Sequence, residues 1–414
     1  MISYFQELGQ NIEHAWLARH YDEEVFPQIT CDILAQNPPF ENVGVSEIID
    51  WIFRPLQPFR QPNNRDLFGE PPVMLFQAPR FYIEALFWLS GTTEIHEHAF
   101  SGAFTVLAGS SVHSHWNFRP ERILNSRMLC GRLERASTEI LRPGGIRPIR
   151  SGDRLIHQLF HLDLPSVTIV VRTYGDRHHL PQYRFFPPGL AMDSEDREPN
   201  RTRRLMLLDG MCRGHIDGLL EYSRQLIEMG EMETLYHLFS LLTYRKVDAN
   251  VLDELYSLTR ERHGEIADLF RQVCDWERRT RIVVVLRSKI SDPGMRFLLA
   301  LLMLMPDRDA IFETIHLQHP DLEPMEAVES WLEGIAGKAS VGFELNDVNR
   351  LIFRGLVEGL NIEELLERLK AEFKTESLER NHERLLDHIQ NVAGSPLFKP
   401  LFSESQLVME LSAA

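Results

Sequence analysis

Gly91-Thr92-Thr93-Glu94-Ile95-His96-Glu97-His98-Ala99-Phe100-Ser101-Gly102-Ala103-Phe104-Thr105-Val106-Leu107-Ala108-Gly109 reads as strand, short turn, strand. Two histidines stand two residues apart within a β-type pattern. Alternate residues of a strand share a face, so His96 and His98 aim two imidazoles at one point while Glu97 aims away. Neutral imidazole is the commonest ligand of divalent transition metals, and the pair needs a third donor. Eight of the 17 histidines fall between residues 96 and 179: His96, His98, His113, His115, His157, His161, His178 and His179. The third ligand is expected on a later strand, behind a turn that carries it across from the pair. His157 meets this condition, because Ser151-Gly152-Asp153 makes a turn shortly before it.

Working outward, residues 81–89 are rich in aromatic and β-favouring side chains. Residues 104–108 and 112–118 also read as strands, with Gly109-Ser110-Ser111 as a hairpin-type turn between them. Residues 128–140 are mixed and 141–148 turn-rich, and 154–162 and 167–174 are strand-like. Short strands punctuated by Gly and Pro predict an antiparallel sandwich or barrel. Upstream, Phe5, Leu8, Ile12, Trp16 and Leu17 recur at helical spacing, which predicts helix over residues 1 to about 36. A second helix is expected from Ser46, as N-cap, to Phe53. The prolines from Pro55 to Pro79 predict an extended loop.

Downstream, residues 192–200 are polar and read as a linker. Of the 23 prolines, 17 lie before residue 201, and no lysine precedes Lys246. Helical patterns then dominate. Asp292-Pro293 is an N-cap with a first-turn proline. Asn361-Ile362-Glu363-Glu364 resembles a capping box that opens an amphipathic helix to about Phe373. With 414 residues, two domains are expected: residues 1–195, a metal-binding β domain with N-terminal helices, and residues 201–414, an all-α domain.

The formal charge of −16 argues against nucleic acid or an anionic membrane as the main partner. The most apolar run, residues 297–305, is far shorter than the roughly 20 residues of a membrane span. Cys31, Cys130, Cys212 and Cys274 are scattered, which fits free thiols in a reducing compartment. Residues 1–7 carry neither a basic nor a long apolar region, so a signal peptide is not expected and a cytoplasmic location is.

A His-x-His pair after a glycine, with another glycine about a dozen residues on, resembles the first cupin motif. The glycine turn before His157 resembles the second. More closely, residues 86–109 and 156–167 are similar to the metal-binding stretches of the cysteine dioxygenase family, within a resemblance covering about residues 80–176. It implies an all-β cupin fold, a double-stranded β-helix barrel, for the first domain. It implies mononuclear Fe(II) held by His96, His98 and His157, with open positions for substrate and dioxygen. Histidines discriminate weakly among metals, so Zn, Ni and Mn stay open. No glutamate follows His98 within the motif, where many cupins place a fourth ligand.

The implied function is that of a non-haem Fe(II)-dependent, thiol-dioxygenase-like oxygenase acting on a small anionic substrate, with sulfur-containing compounds among the candidates. Two alternatives stand beside it. One is a metal- or ligand-binding sensor or assembly protein, acting through a homo-oligomer or protein partner on the helical domain. The other is a non-redox metal-dependent cupin enzyme. In the family, the strand after the third ligand carries a Ser-x-His-x-Tyr run. This chain has Thr168, Val170 and Arg172 there, with Tyr174 two residues further on the same face. Gly102 or Ala103 stands near the family's cross-linked cysteine, so no Cys–Tyr cofactor can form. Arg60, Arg65 and Arg80 are candidates for the family's carboxylate-binding arginine.

Strand parity adds further candidates. Arg172, Tyr174 and His161 are candidate catalytic residues. Arg80, Tyr82, His113 and His115 are candidates for substrate binding, and Trp88 and Glu84 share the face of Arg80 and Tyr82. Glu94 shares the parity of His96 and is a candidate carboxylate ligand. His178-His179 reads as an exposed loop.

Overall fold

A computed structural model describes residues 1–54, 61, 69–89, 94–175, 180–195, 198–373, 382–402 and 405. Arg60, Arg65, His178, His179, the turn Gly91-Thr92-Thr93 and part of the proline-rich stretch and of the polar linker lie outside the described residues. The chain forms two compact units, Met1–Arg278 and Arg279–Ala414. Strands give way to helices near residue 195, but the division between the units falls later, inside a helix.

The first unit opens with helices α1 (Ile2–Leu17), α2 (Phe26–Gln36), α3 (Pro39–Asn42) and α4 (Val45–Ile52). The single helix expected over residues 1–36 is therefore two, broken where His20 and Tyr21 take positive φ. The N-cap of α4 is Gly44 rather than Ser46; Glu47 reaches back to accept from the Gly44 N–H at 2.8 Å.

Among the described residues the strands are β1 (Pro72–Gln77), β2 (Phe81–Trp88), β3 (Ile95–His98), β4 (Gly102–Ala108), β5 (Ser111–Asn125), β6 (Met128–Leu141), β7 (Ile146–Ile149), β8 (Gly152–His161), β9 (Ser166–Thr173), β10 (Tyr183–Phe186) and β11 (Leu190–Asp193). One sheet has the order β1-β2-β9-β4-β7, and a closed barrel has the order β10-β11-β6-β5-β8-β3. The ladders β2/β9, β4/β9, β3/β8 and β5/β8 that frame the site are all antiparallel. Strands β4 and β5 belong to different sheets, so Gly109-Ser110-Ser111 is a crossing between sheets and not a hairpin turn. The hairpin is β5–β6, closed between Asn125 and Met128. The stretch 128–140, mixed in sequence because much of it is half-exposed, is strand, and the linker stretch contains the end of β11.

Period-2 alternation explains the layering. In β2 and β9 the odd positions Phe81, Ile83, Ala85, Phe87, Val167, Ile169 and Val171 form one core with Phe5, Leu8, Ile12 and Trp16 of α1. The even positions Leu86, Trp88 and Val170 join Phe100, Phe104 and Leu159 in a second core. Both faces are buried, so these strands read as nearly continuous apolar runs. A helical layer, α5 (Pro199–Cys212), α6 (Leu219–Met229), α7 (Met232–Tyr244), α8 (Ala249–His263) and the start of α9 (Ile266–Lys289), packs on β6, β10 and β11. Met128, Phe186, Leu190 and Met192 share its core with Leu235, Phe239 and Phe270.

The second unit is helical: α10 (Pro293–Leu304), α11 (Arg308–Gln318), α12 (Pro324–Ala336), α13 (Asp347–Glu358), α14 (Ile362–Phe373), α15 (His382–Ala393) and a 3-10 turn, Pro396–Phe398. Asp292 caps α10 by accepting from the Met295 N–H. Asn361 and Glu364 cap α14 reciprocally. The apolar run 297–305 is buried. Among the described residues, no helix is long and apolar enough to cross a membrane. Arg296 is 1% exposed, and its Nε donates to the Ile290 carbonyl at 2.6 Å. Arg296→Ala removes that donor from a buried acceptor, so a loss of about 2–4 kcal/mol is expected in urea unfolding.

Candidate metal centre

Strand register brings the three histidines together. His96 of β3 lies directly opposite His157 of β8, with a shift in the ladder between His96 and His98. All three are buried. Their ring centroids are 4.6, 4.8 and 4.9 Å apart, a nearly equilateral triangle. Their nearest ligand atoms all lie within 4.8 Å of one another. Burial pushes the His96 imidazole below its usual range, and burial with neighbouring histidines pushes His98 and His157 well below it. The rings are therefore neutral at pH 7, the form that ligates a metal.

These residues fit a divalent transition metal. His96 Nδ1 is 2.7 Å from the Glu94 carbonyl oxygen, so Nδ1 carries the hydrogen and Nε2 keeps its lone pair. His98 Nε2 and His157 Nε2 are 2.8 Å apart. Two nitrogens bound at right angles to one ion, each about 2.1 Å away, stand about 3.0 Å apart. A single hydrogen can bridge such a pair, and so can a cation that both nitrogens ligate. His98 Nδ1 is buried with no hydrogen-bond partner among the described residues.

The cluster opens on a cavity of about 50 Å³, lined by Glu84, Leu86, Trp88, Phe100, Phe104, Ile149, Leu159, Thr168, Val170 and Arg172 beside the three histidines. The space holds a few non-hydrogen atoms, since one water needs roughly 10–15 Å³ on this measure. Arg172 and Glu84 supply its charge. Arg172 Nη1 is 3.7 Å from Glu84 Oε1, and the guanidinium lies 3.4 Å above the centre of the Phe100 ring. Arg172 Nε is buried without a partner among the described residues. Burial raises the Glu84 pKa, and Arg172 opposes the rise.

Other candidates fall elsewhere. Arg80 is exposed and stacks 4.3 Å over Tyr21 on the outer helical layer. It precedes β2, so the strand parity that places Glu84 inward does not extend to it. Tyr174 is 41% exposed and donates from its hydroxyl to the Ala78 carbonyl; β9 has ended at Thr173, and the parity with it. Tyr82 does not line the cavity but lies under the Arg172 guanidinium, 5.3 Å away. His161 is buried behind the cavity wall, stacked on Trp88 at 4.6 Å, with Nδ1 2.8 Å from Ser111 Oγ. Glu94 pairs with Arg184 at 3.0 Å and does not join the cluster. Glu97 points away and accepts from the Tyr183 N–H; burial raises its pKa to about 7.

His113 is buried beneath the cluster, while His115 is half-buried beside Glu139. Glu139 and Arg147 escaped the sequence reading. Glu139 lies directly opposite His113 in the β5–β6 ladder, so reading residues 128–140 as the partner of β5 would have found it.

The sequence matches no protein-family model and no curated protein. Among solved structures, the chain is similar to a hydroquinone 1,2-dioxygenase from Sphingomonas sp. TTNP3, at 12% identity over 27% of this chain and 70% of that one, TM-score 0.21. It is similar to DMSP lyases, at 14% identity over 43% of this chain and 94% of that one, TM-score 0.24. An oxalate oxidase structure aligns at 14% identity over 40% of this chain and 78% of that one, TM-score 0.21. Likenesses this slight carry neither a fold assignment nor a reaction, and the metal centre stands on its own residues.

Proposed function

We propose that this protein is a metal-dependent cupin oxygenase that uses Fe(II) at His96, His98 and His157 to oxidise a small anionic substrate, with a thiol acid as the leading class. The observation that carries this reading is the buried three-histidine cluster opening on a small cavity whose one cationic side chain among the described residues is Arg172. Three neutral imidazoles leave a ferrous ion its full positive charge, and a ferrous ion bound there would supply open positions for an anionic group and dioxygen.

The chain's own residues would do the rest. Arg172 would hold the substrate anion through its free Nε–H, because a guanidinium presents several donors in a fixed plane. Glu84 and Phe100 keep the guanidinium in place. Phe104, Leu86, Leu159 and Val170 give the cavity apolar walls that exclude bulk water.

Metal analysis of the purified protein, with oxygen consumption measured across short thiol acids, tests the reading. Iron absent after anaerobic reconstitution, or no oxygen uptake with any of them, overturns it. Arg172→Met is expected to weaken binding of a short thiol acid by about 10–100-fold, as one charge-assisted hydrogen bond contributes roughly 1.5–3 kcal/mol. Calorimetric titration of the reconstituted protein measures this, and unchanged affinity removes Arg172 from the site.

A further inference from the structure

Behind His157 lies a chain of polar groups that metal ligation itself does not require. His113 Nε2 is 2.9 Å from His157 Nδ1, and His113 Nδ1 is 3.0 Å from Glu139 Oε1. Arg147 grips the same carboxylate, with Nε 2.8 Å from Oε1 and Nη2 bonded to Oε2. The chain crosses four strands: β7 supplies Arg147, β6 Glu139, β5 His113 and β8 His157.

The direction of every hydrogen bond follows from one end. Bonds from His113 and Arg147 hold the Glu139 carboxyl well below the usual carboxylate range, so it is ionised and can only accept. His113 must then carry its hydrogen on Nδ1. His113 is wholly buried and the Arg147 guanidinium already balances the Glu139 carboxylate, so no second cation is called for, the ring is neutral and Nε2 is an acceptor. His157 must therefore donate from Nδ1, which leaves the Nε2 lone pair facing His98.

We propose that Arg147, Glu139 and His113 form a relay that fixes His157 as its Nδ1–H tautomer and aims Nε2 as a metal ligand, so that Glu139 and His113 are positioning residues of the centre. The inference deepens the reading of the three-histidine cluster and rests on it for its purpose. Partners behind a ligating imidazole fix its tautomer and raise its basicity, and their loss costs roughly 10–100-fold in metal affinity. His113, His115 and Glu139 also lie within 4.8 Å of one another and could hold an ion themselves. Such an ion would have to displace the Arg147 guanidinium from Glu139 and take His113 Nδ1 from its bond, so the relay is the better account.

The test uses the full chain. Long-range proton–nitrogen correlation of the metal-free, ¹⁵N-histidine-labelled protein reads the tautomer of His157, and titration with Co²⁺ reads metal affinity. His157 is expected as Nδ1–H in the wild type. In Glu139→Gln the amide can donate as well as accept, so the relay loses its fixed direction. In His113→Phe it is cut with ring volume roughly kept. Each is expected to raise the Co²⁺ dissociation constant by about 10–100-fold, with Glu139→Asp recovering most of the loss. A wild-type His157 protonated on Nε2 overturns the relay, whatever the variants do. Co²⁺ affinity within about threefold of wild type in both cutting variants also overturns it. A wild type that binds no Co²⁺ sinks the metal centre instead, and the tautomer alone then decides whether the relay exists.

Discussion

His157→Ala is expected to leave the protein without its metal. His157 is one corner of the nearly equilateral cluster, with its ring centroid 4.8 Å from His96 and 4.9 Å from His98, and it is the corner that His113 supports from behind. A four-ligand zinc site is worth about 10–16 kcal/mol at pH 7. One ligand in four then accounts for about 2.5–4 kcal/mol, or roughly 60–700-fold in affinity. After dialysis against a weak chelator, elemental analysis is expected to find close to one ion per wild-type chain and almost none in the variant. The variant should still fold, since alanine at a buried strand position leaves the β8 ladders to β3 and β5 intact. Wild-type stoichiometry in the variant would mean that the metal sits elsewhere. His96→Ala and His98→Ala should behave alike, because each supplies one of three nitrogens.

How much of this was legible in the sequence depended on whether the signal was local. The His-x-His pair needed only the period of a strand, and His157 needed only a turn and a second strand. The even positions Glu84, Thr168 and Arg172 could be placed on shared faces for the same reason. Parity failed where a strand ended, at Arg80 before β2 and at Tyr174 after β9. It also says nothing about which strand lies next to which. Residues 104–118 read as a hairpin because the two stretches adjoin in sequence, yet β4 pairs with β7 and β9 while β5 pairs with β6 and β8. Glu139 was invisible for that reason: its meaning comes from standing opposite His113, 26 residues away. In the helical half, Asp292 and Asn361 were readable because a cap is written within four residues. The packing of those helices depends on apolar surfaces whose partners no local pattern names.

Gly102→Ala is expected to damage the frame that holds the site. Gly102 begins β4, four residues after His98, and lies opposite Arg172 on β9. A β-carbon there would stand 1.9 Å from the Val171 carbonyl oxygen and 2.9 Å from the Arg172 α-carbon. Both are backbone atoms, so no side-chain rotation relieves the overlap, and the two strands must separate by more than 1 Å. Overpacking of this kind costs about 3 kcal/mol or more, which corresponds to a fall of roughly 6 °C or more in the thermal midpoint. The same separation moves the backbone that carries Arg172, so binding of a short thiol acid to the reconstituted protein should weaken along with stability. Gly175→Ala is the matched control: it lies two residues beyond β9, and a β-carbon there meets nothing within 4 Å. Scanning calorimetry of the two variants separates a close backbone approach from a general intolerance of alanine near β9. Equal midpoints for the pair would refute the close approach. A lower midpoint for Gly102→Ala alone would show that β4 and β9 approach too closely there for any side chain.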